Sequence, residues 1–139
     1  MCLKFLEKYQ NIGFLILRAG IGLMFMYHGF GKLSAGQEVW GKIGGAISNL
    51  GISVPALFPV FGFLAACSEF FGGLCLILGL CFRPACFFLF FTMTVAVTMH
   101  LSQGDGLNTA SHAIEAAILF LSLMFIGPGA YNLDKKLKN

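Results

Sequence analysis

Four long apolar stretches, separated by short polar segments, dominate the pattern of hydrophobic and polar positions along the chain. They cover approximately residues 12–33, 55–80, 84–101 and 111–126. About 20 apolar residues cross a hydrocarbon core of about 30 Å, so each stretch predicts a transmembrane helix. Between the first two, apolar residues recur at helical spacing over 37–50 and include Trp40, which favours the headgroup region. The pattern predicts an all-α integral membrane four-helix bundle, a single domain over residues 1–139, with a short interfacial helix in the first outer loop.

Composition and charge agree with this class and suggest an orientation. The chain is 58% hydrophobic and 11% charged, which leaves no basic surface typical of nucleic-acid binding. The first apolar run is too long for a signal peptide and lacks a small-residue cleavage site. Two basic residues, Lys32 at the end of the first predicted span and Lys42 in the loop that follows, lie on one side of a four-pass topology. On the other side lie Lys4, Lys8, Arg83, Lys135, Lys136 and Lys138. The positive-inside rule therefore predicts cytoplasmic N and C termini.

Ionisable residues inside the apolar stretches are the first candidates for function. A charged side chain at mid-bilayer costs about 2.5 to 3.5 kcal/mol even on the insertion scale, so it needs a partner or a purpose. Glu69 is the deepest acid of the chain, and Arg18 lies inside the first predicted helix. We therefore predict a structural ion pair between Arg18 and Glu69 that joins the first two spans.

Further polar side chains gather at the outer ends of three predicted helices. They are His28, Lys32, His100, His112 and Glu115. Their common depth predicts a single cavity that opens to the outer face beneath the interfacial helix, with Glu69 below it. Two ligands remain open: a quinone head, whose carbonyls these side chains would protonate, or a metal ion held by His28, His100, His112 and Glu115. The simpler alternative is that each side chain reaches the headgroups separately.

The motifs of the chain, taken together, resemble those of a known family. They are Leu17-Arg18, Gly22, Phe25, His28-Gly29 and Lys32, then Glu69 with Gly72-Gly73, His100, Glu115, and Gly127-Pro128-Gly129 before Leu133-Asp134. This combination resembles the DoxX family of small four-helix membrane proteins over nearly the whole chain. The resemblance implies a multi-pass protein of the prokaryotic cytoplasmic (inner) membrane, related to the membrane subunit of thiosulfate:quinone oxidoreductase. The matched positions imply that six residues are the family's polar residues: Arg18, His28, Lys32, Glu69, His100 and Glu115. His112 is a candidate from geometry alone.

Our functional hypothesis is a membrane subunit of a redox system. It binds a quinone in the outer half of the bundle and couples it to a soluble or membrane oxidoreductase partner. His28 and Glu115 would exchange protons with the head, Lys32 would hold developing negative charge, and Glu69, His100 and His112 would complete the ligand site. The five cysteines form no C-x-x-C motif, so we expect no activity from the chain alone. The rival functions are a non-enzymatic scaffold or assembly factor and a small metal-binding or transport protein, and a homo-oligomer is compatible with each.

Overall fold

The computed structural model describes residues 3–137, apart from the side chains of Lys4 and Lys136, and confirms the all-α membrane bundle. Lys138, part of the basic C-terminal segment, lies outside the described residues. The helices are α1 (Gln10–Ser34), α2 (Gln37–Gly44), α3 (Phe58–Leu78), α4 (Phe82–Ser102), α5 (Gly106–Ile126) and α6 (Leu133–Leu137). Shorter 3₁₀ segments cover Lys4–Tyr9, Gly45–Leu50 and Pro55–Leu57. Four helices, α1, α3, α4 and α5, are long and apolar enough to cross a membrane.

Two elements differ in detail from the sequence-based expectation. The last transmembrane helix begins at Gly106, whereas the pattern predicted a start near Ser111. Ser111 lies inside the helix, where its hydroxyl donates to the Asn108 carbonyl, so it is not the N-cap. The interfacial helix is α-helical only over Gln37–Gly44 and continues as a 3₁₀ helix to Leu50.

The transmembrane helices pack in the order α1, α3, α4, α5 around one apolar core. Its largest fully buried apolar side chains are Leu76, Phe82, Leu89, Phe120 and Leu123. The ring of α1 residue Phe25 contacts the ring of Phe120 on α5, with centroids 4.8 Å apart. We call the end where α1 begins and α5 stops the terminal end, and the opposite end, which carries α2, the far end.

Glycines set the closest helix contacts. A methyl group added to Gly22 of α1 would lie 2.6 Å from the carbonyl oxygen of Gly73 in α3, so only glycine allows this approach. Where α2 crosses α3, methyl groups on Gly44 and Gly62 would overlap backbone carbonyls of the neighbouring helix. The short far-end segment is therefore pressed onto α3 rather than lying loosely on the surface.

The segment after α5 folds back across the terminal end. The backbone N–H of Ala130 donates to the Asn11 side chain of α1 at 3.1 Å. The Asp134 carboxylate accepts hydrogen bonds from the backbone N–H groups of Cys81 and Phe82, at the start of α4. A negative charge is favourable at a helix N-terminus, so this contact ties the C-terminal segment to the bundle.

Candidate ligand groove

A cavity of about 790 Å³ runs between α3 and α4 and is covered at the far end by the 3₁₀ segment Gly45–Leu50. Its walls are mainly apolar and include Leu64, Phe71, Phe88 and Phe91, all of which are exposed at the bundle surface. The cavity therefore opens sideways, towards the region that lipid chains occupy around a transmembrane bundle. We call it the α3–α4 groove.

An ion pair between Lys32 of α1 and Glu69 of α3 lies about midway along the groove. The Lys32 Nζ lies 2.5 Å from the Glu69 Oε1, and both residues line the groove. The Glu69 side chain is 1% exposed, whereas that of Lys32 is 35% exposed. The second carboxylate oxygen, Oε2, is buried and has no hydrogen-bond partner among the described residues. Leaving a buried acceptor unpaired is costly, so this oxygen is ready to accept a hydrogen bond from a ligand.

The predicted ion pair between Arg18 and Glu69 is not formed. The Arg18 Nη1 instead donates to the Pro128 carbonyl at 2.6 Å. The reason is depth: Arg18 lies beside Gly79 at the end of α3, and Glu69 is ten residues, or about 15 Å, further along that helix. Lys32 lies about 21 Å from Arg18 along α1, close to the level of Glu69. Lys32 is therefore the cation that Glu69 meets.

Two of the predicted site residues, His28 and His112, lie together outside the groove, and Glu115 lies about one helical turn from His112 on α5. His28 of α1 and His112 of α5 have rings 6.4 Å apart, and both are exposed, as is Glu115. We call these three residues the edge cluster, because they stand where α1 and α5 meet. The predicted single cavity was therefore wrong: Lys32, Glu69 and His100 line the groove, and the edge cluster does not.

The separation follows from helix geometry. Successive residues on a helix point about 100° apart, and α1 turns Phe25 and Gly29 inwards, which leaves His28 turned towards the α1–α5 edge. On α5 the buried residues Ala113, Ala116 and Ala117 flank Glu115, which points away from the core. Side chains at the same predicted membrane depth therefore need not point into the same cavity.

The predicted four-residue metal set is also divided. His100 lines the groove, where its Nδ1 lies 2.8 Å from an Asp105 carboxylate oxygen, whereas His28, His112 and Glu115 form the edge cluster. Over residues 3–137, no group of three or more His, Cys, Asp or Glu side chains is arranged to hold a metal ion. The metal alternative thus loses its structural basis in this part of the chain.

Sequence reasoning missed a polar contact inside the groove. The Thr92 hydroxyl of α4 lies 3.2 Å from the Ser68 hydroxyl of α3, and both residues line the groove. Thr92 also donates to the Phe88 carbonyl, which is the backbone bond that made it look purely structural. The available signal was position, since Ser68 directly precedes Glu69.

Comparison with known proteins places the chain among small membrane proteins. The family model described as DoxX matches residues 13–101. The chain is 28% identical over 137 residues to the inner membrane protein YqjF of Escherichia coli (strain K12), covering 95% of this chain and 97% of that protein. It is 31% identical over 137 residues to an uncharacterized protein of Haemophilus influenzae, covering 94% and 95% of the two chains. No solved structure matches significantly. The groove residues Lys32, Glu69 and His100 lie within the matched range, whereas His112 and Glu115 lie beyond it.

Proposed function

This chain belongs to the DoxX family, and we propose that it is a membrane subunit of a redox system whose α3–α4 groove holds a quinone or a similar amphipathic redox-active molecule. The observation that carries the proposal is the Lys32–Glu69 pair, with one unpaired buried oxygen, in the wall of a mainly apolar groove. A ligand that fits must have a small polar head and a long apolar tail.

The groove accommodates both parts of such a ligand. It extends from Met99 and His100 at the far end to Cys81 and Pro84 at the terminal end. These positions on α4 are about 19 residues apart, which corresponds to about 28 Å. The ion pair lies about midway along this length, so the head would lie there and an isoprenoid or acyl tail would extend from it along α4, in contact with aromatic rings. The lateral opening allows entry from the bilayer.

The two groove side chains suit a head that changes between carbonyl and hydroxyl. A quinone supplies the redox chemistry, since it takes up electrons together with protons as it becomes a quinol. The Lys32 ammonium can donate a hydrogen bond to a ligand oxygen and stabilise negative charge there. The Glu69 Oε2 can accept a hydrogen bond from a hydroxyl and hold its proton. Sequence analysis gave Lys32 this same role of stabilising negative charge and assigned the proton exchange to His28 and Glu115, which lie outside the groove.

His100 connects the groove to water at the far end. His100 lines the groove, and its Nδ1 lies 2.8 Å from the carboxylate of Asp105, which is exposed. We assign it to proton exchange between the groove and the loop that joins α4 and α5. Electrons must come from a partner protein, a soluble or membrane oxidoreductase, because the four described cysteines are all free thiols without a C-x-x-C pair. We therefore do not propose catalysis by this chain alone.

The cellular location is proposed from a relative and from the charge distribution. The Escherichia coli relative is named as an inner membrane protein, and we place this chain in the prokaryotic inner membrane as well. The charge distribution supports a cytoplasmic terminal end, with the far end on the outer side. A reporter fused after Asn139 tests this orientation. Activity of that reporter only outside the cytoplasm would reverse it.

Trp40 provides a direct binding assay, because it is the chain's single tryptophan. Its indole Nε1 donates to the Lys32 carbonyl at 2.8 Å, which places the fluorophore beside one residue of the ion pair. Quinones quench indole fluorescence at short range. Titration of the purified protein in lipid nanodiscs with a short-tailed quinone should therefore quench Trp40 saturably, and mass spectrometry of organic extracts should find co-purified quinone.

Matched variants make the assay specific. Ala96→Phe places a ring in the groove and should abolish saturable quenching, while His112→Leu, outside the groove, should leave it unchanged. Glu69→Gln should weaken binding of a quinol more than that of a quinone, because only the quinol donates to Oε2. Quenching that is absent, or that Ala96→Phe does not reduce, contradicts a quinone in the groove.

A scaffold or assembly role is the second candidate function. The observation that favours it is the edge cluster, three ionisable side chains exposed within helices of transmembrane length. Protein that binds no quinone and yet co-purifies stoichiometrically with an oxidoreductase subunit would support this role over the first.

A further inference from the structure

The edge cluster is exposed on the side of the bundle formed by α1 and α5, and we propose that it is the interface through which two copies of this chain associate in the membrane. In this dimer, Glu115 of one copy contacts His28 or His112 of the other copy. The inference does not depend on a ligand in the groove, because the two regions share no lining residue.

The depth of the edge cluster means that lipid alone is a poor environment for it. His112 lies about 9 Å and Glu115 about 14 Å beyond the first residue of α5 at 1.5 Å per residue. His28 lies about 9 Å before the last residue of α1. Glu115 forms no ion pair with any described residue, and hydrocarbon offers it no hydrogen-bond donor. A second protein surface would remove this cost.

The charges within the chain do not supply that surface. Among the described residues, the two cations inside the helix α1 are already engaged: Arg18 donates to the Pro128 carbonyl, and Lys32 pairs with Glu69. Neither is free to reach Glu115. No described basic side chain, including His28 and His112, lies within salt-bridge distance of Glu115, so the bundle leaves this carboxylate free to pair with a second copy.

A second copy is the occupant that the cluster itself specifies. In a two-fold symmetric dimer the same patch meets itself, so it must carry complementary groups. The edge cluster does so, because it combines one acid with two bases at depths that differ by only about 5 Å. A two-fold axis along the membrane normal keeps both copies at the same depth and brings acid against base twice.

The backbone of α1 leaves room for this approach. Gly20, His28 and Gly31 all lie on the exposed half of α1, and a methyl group added to either glycine would meet no described residue within 4 Å. These two glycines therefore serve no contact inside the bundle. Small residues at a lipid-exposed face let a second helix approach closely, which brings the polar side chains within hydrogen-bonding distance.

The test measures association in liposomes by energy transfer between donor- and acceptor-labelled copies of the full chain, diluted stepwise with lipid. Wild-type protein should show a concentration-dependent dimer. Glu115→Leu should raise the apparent dissociation constant about tenfold or more, which is the size expected for losing interhelical polar pairs. Glu38→Gln is the matched control, because Glu38 pairs only with the exposed Lys42 on α2, and it should change nothing.

Gly31→Leu separates the interface from any effect on folding. The single bundle has open space at this position, so helix content and Trp40 fluorescence should stay unchanged while dimerisation is lost. Wild-type protein that stays monomeric at every lipid dilution would overturn the proposal. So would either variant, Glu115→Leu or Gly31→Leu, if it associates as tightly as the wild type.

Discussion

Helix α1 carries one inward-facing cation towards each of its ends, and the bundle stabilises the two in different ways. Near the far end, Lys32 contacts the carboxylate of Glu69 and keeps 35% of its side chain exposed. Near the terminal end, Arg18 is only 3% exposed, and its Nη1 donates to the carbonyl oxygen of Pro128. Arg18 forms no ion pair with any described acid.

Helix ends explain how Arg18 is tolerated. α3 stops at Leu78 and α5 at Ile126, and Arg18 lies beside the residues that follow both ends. Each helix C-terminus carries about half a negative charge, so two of them together approach the charge of one carboxylate. This arrangement needs the whole terminal end to stay in place, which suits a structural role.

The Lys32–Glu69 pair differs from Arg18 because it lies at the α3–α4 groove, which opens at the bundle surface. Both centres contain one buried unpaired atom, the Arg18 Nε and the Glu69 Oε2. Only Glu69 lines the groove, so only its unpaired oxygen is placed to meet a ligand. The comparison indicates that Arg18 fixes the fold and that the far-end pair serves the function.

Lys32→Met should have the largest effect on stability. It leaves the 1%-exposed carboxylate of Glu69 without its cation, and removing one partner of a buried pair costs about 3 to 5 kcal/mol. Glu69→Gln should cost less, because Lys32 is partly exposed and its ammonium can turn towards water. Unfolding in mixed micelles with increasing SDS, followed by circular dichroism, measures both.

The double variant Lys32→Met with Glu69→Met is the control for this pair. Replacing a buried ion pair by apolar side chains is often neutral, so the double variant should be more stable than Lys32→Met alone. If the two single losses simply add, the side chains are not coupled and the pair contributes nothing.

Arg18→Met should have the next largest effect, about 1.5 to 3 kcal/mol, which is the range for a hydrogen bond to a charged group. It leaves the carbonyl of Pro128 without this donor and removes the cation that two helix ends share. Arg18→Lys should recover part of the loss, since it restores the charge without the planar fork. The same SDS titration measures the series, and Glu38→Gln should show no change. Equal stability of Arg18→Met and wild type would contradict the helix-end account.

Much of the fold could be predicted from the sequence, because a transmembrane helix is recorded in a local property, the length of an apolar run. The partner of Glu69 could not. The transmembrane helices α1 and α3 are shifted along their axes, so that α3 ends beside Arg18. This shift depends on glycine contacts such as that of Gly22 with Gly73. The prediction of side-chain direction was wrong for a similar reason. His28 and Lys32 are four residues apart on α1, yet only Lys32 lines the groove. Packing between helices decides both, and a single sequence does not report it.

Gly79→Ala should cost about 1 to 2 kcal/mol, because Gly79 has a φ of +64°, a conformation that L-residues pay for. The added methyl would also lie 2.6 Å from the Arg18 Nη1, so it disturbs the terminal cation as well. Gly104→Ala is the matched control, since Gly104 has a φ of +76° with nothing within 4 Å of an added methyl. A loss larger for Gly79→Ala than for Gly104→Ala measures the contacts of the added methyl with Arg18 and Asn132. Equal losses would mean that only the backbone conformation matters there.

Asp134→Asn should have the smallest effect, about 0.3 to 1 kcal/mol, the usual contribution of a charge at a helix terminus. Its carboxylate accepts from the N–H groups of Cys81 and Phe82, and the asparagine oxygen still accepts one such bond. The segment that it anchors also delivers the Pro128 carbonyl to Arg18, so a weaker anchor should open locally before the bundle unfolds. Hydrogen–deuterium exchange should therefore become faster over residues 127–137 and stay unchanged in α3. Unchanged exchange throughout would show that Asp134 does not hold this segment and that Arg18 keeps the Pro128 carbonyl without it, whereas faster exchange in α3 as well would show that the segment opens together with the bundle rather than locally.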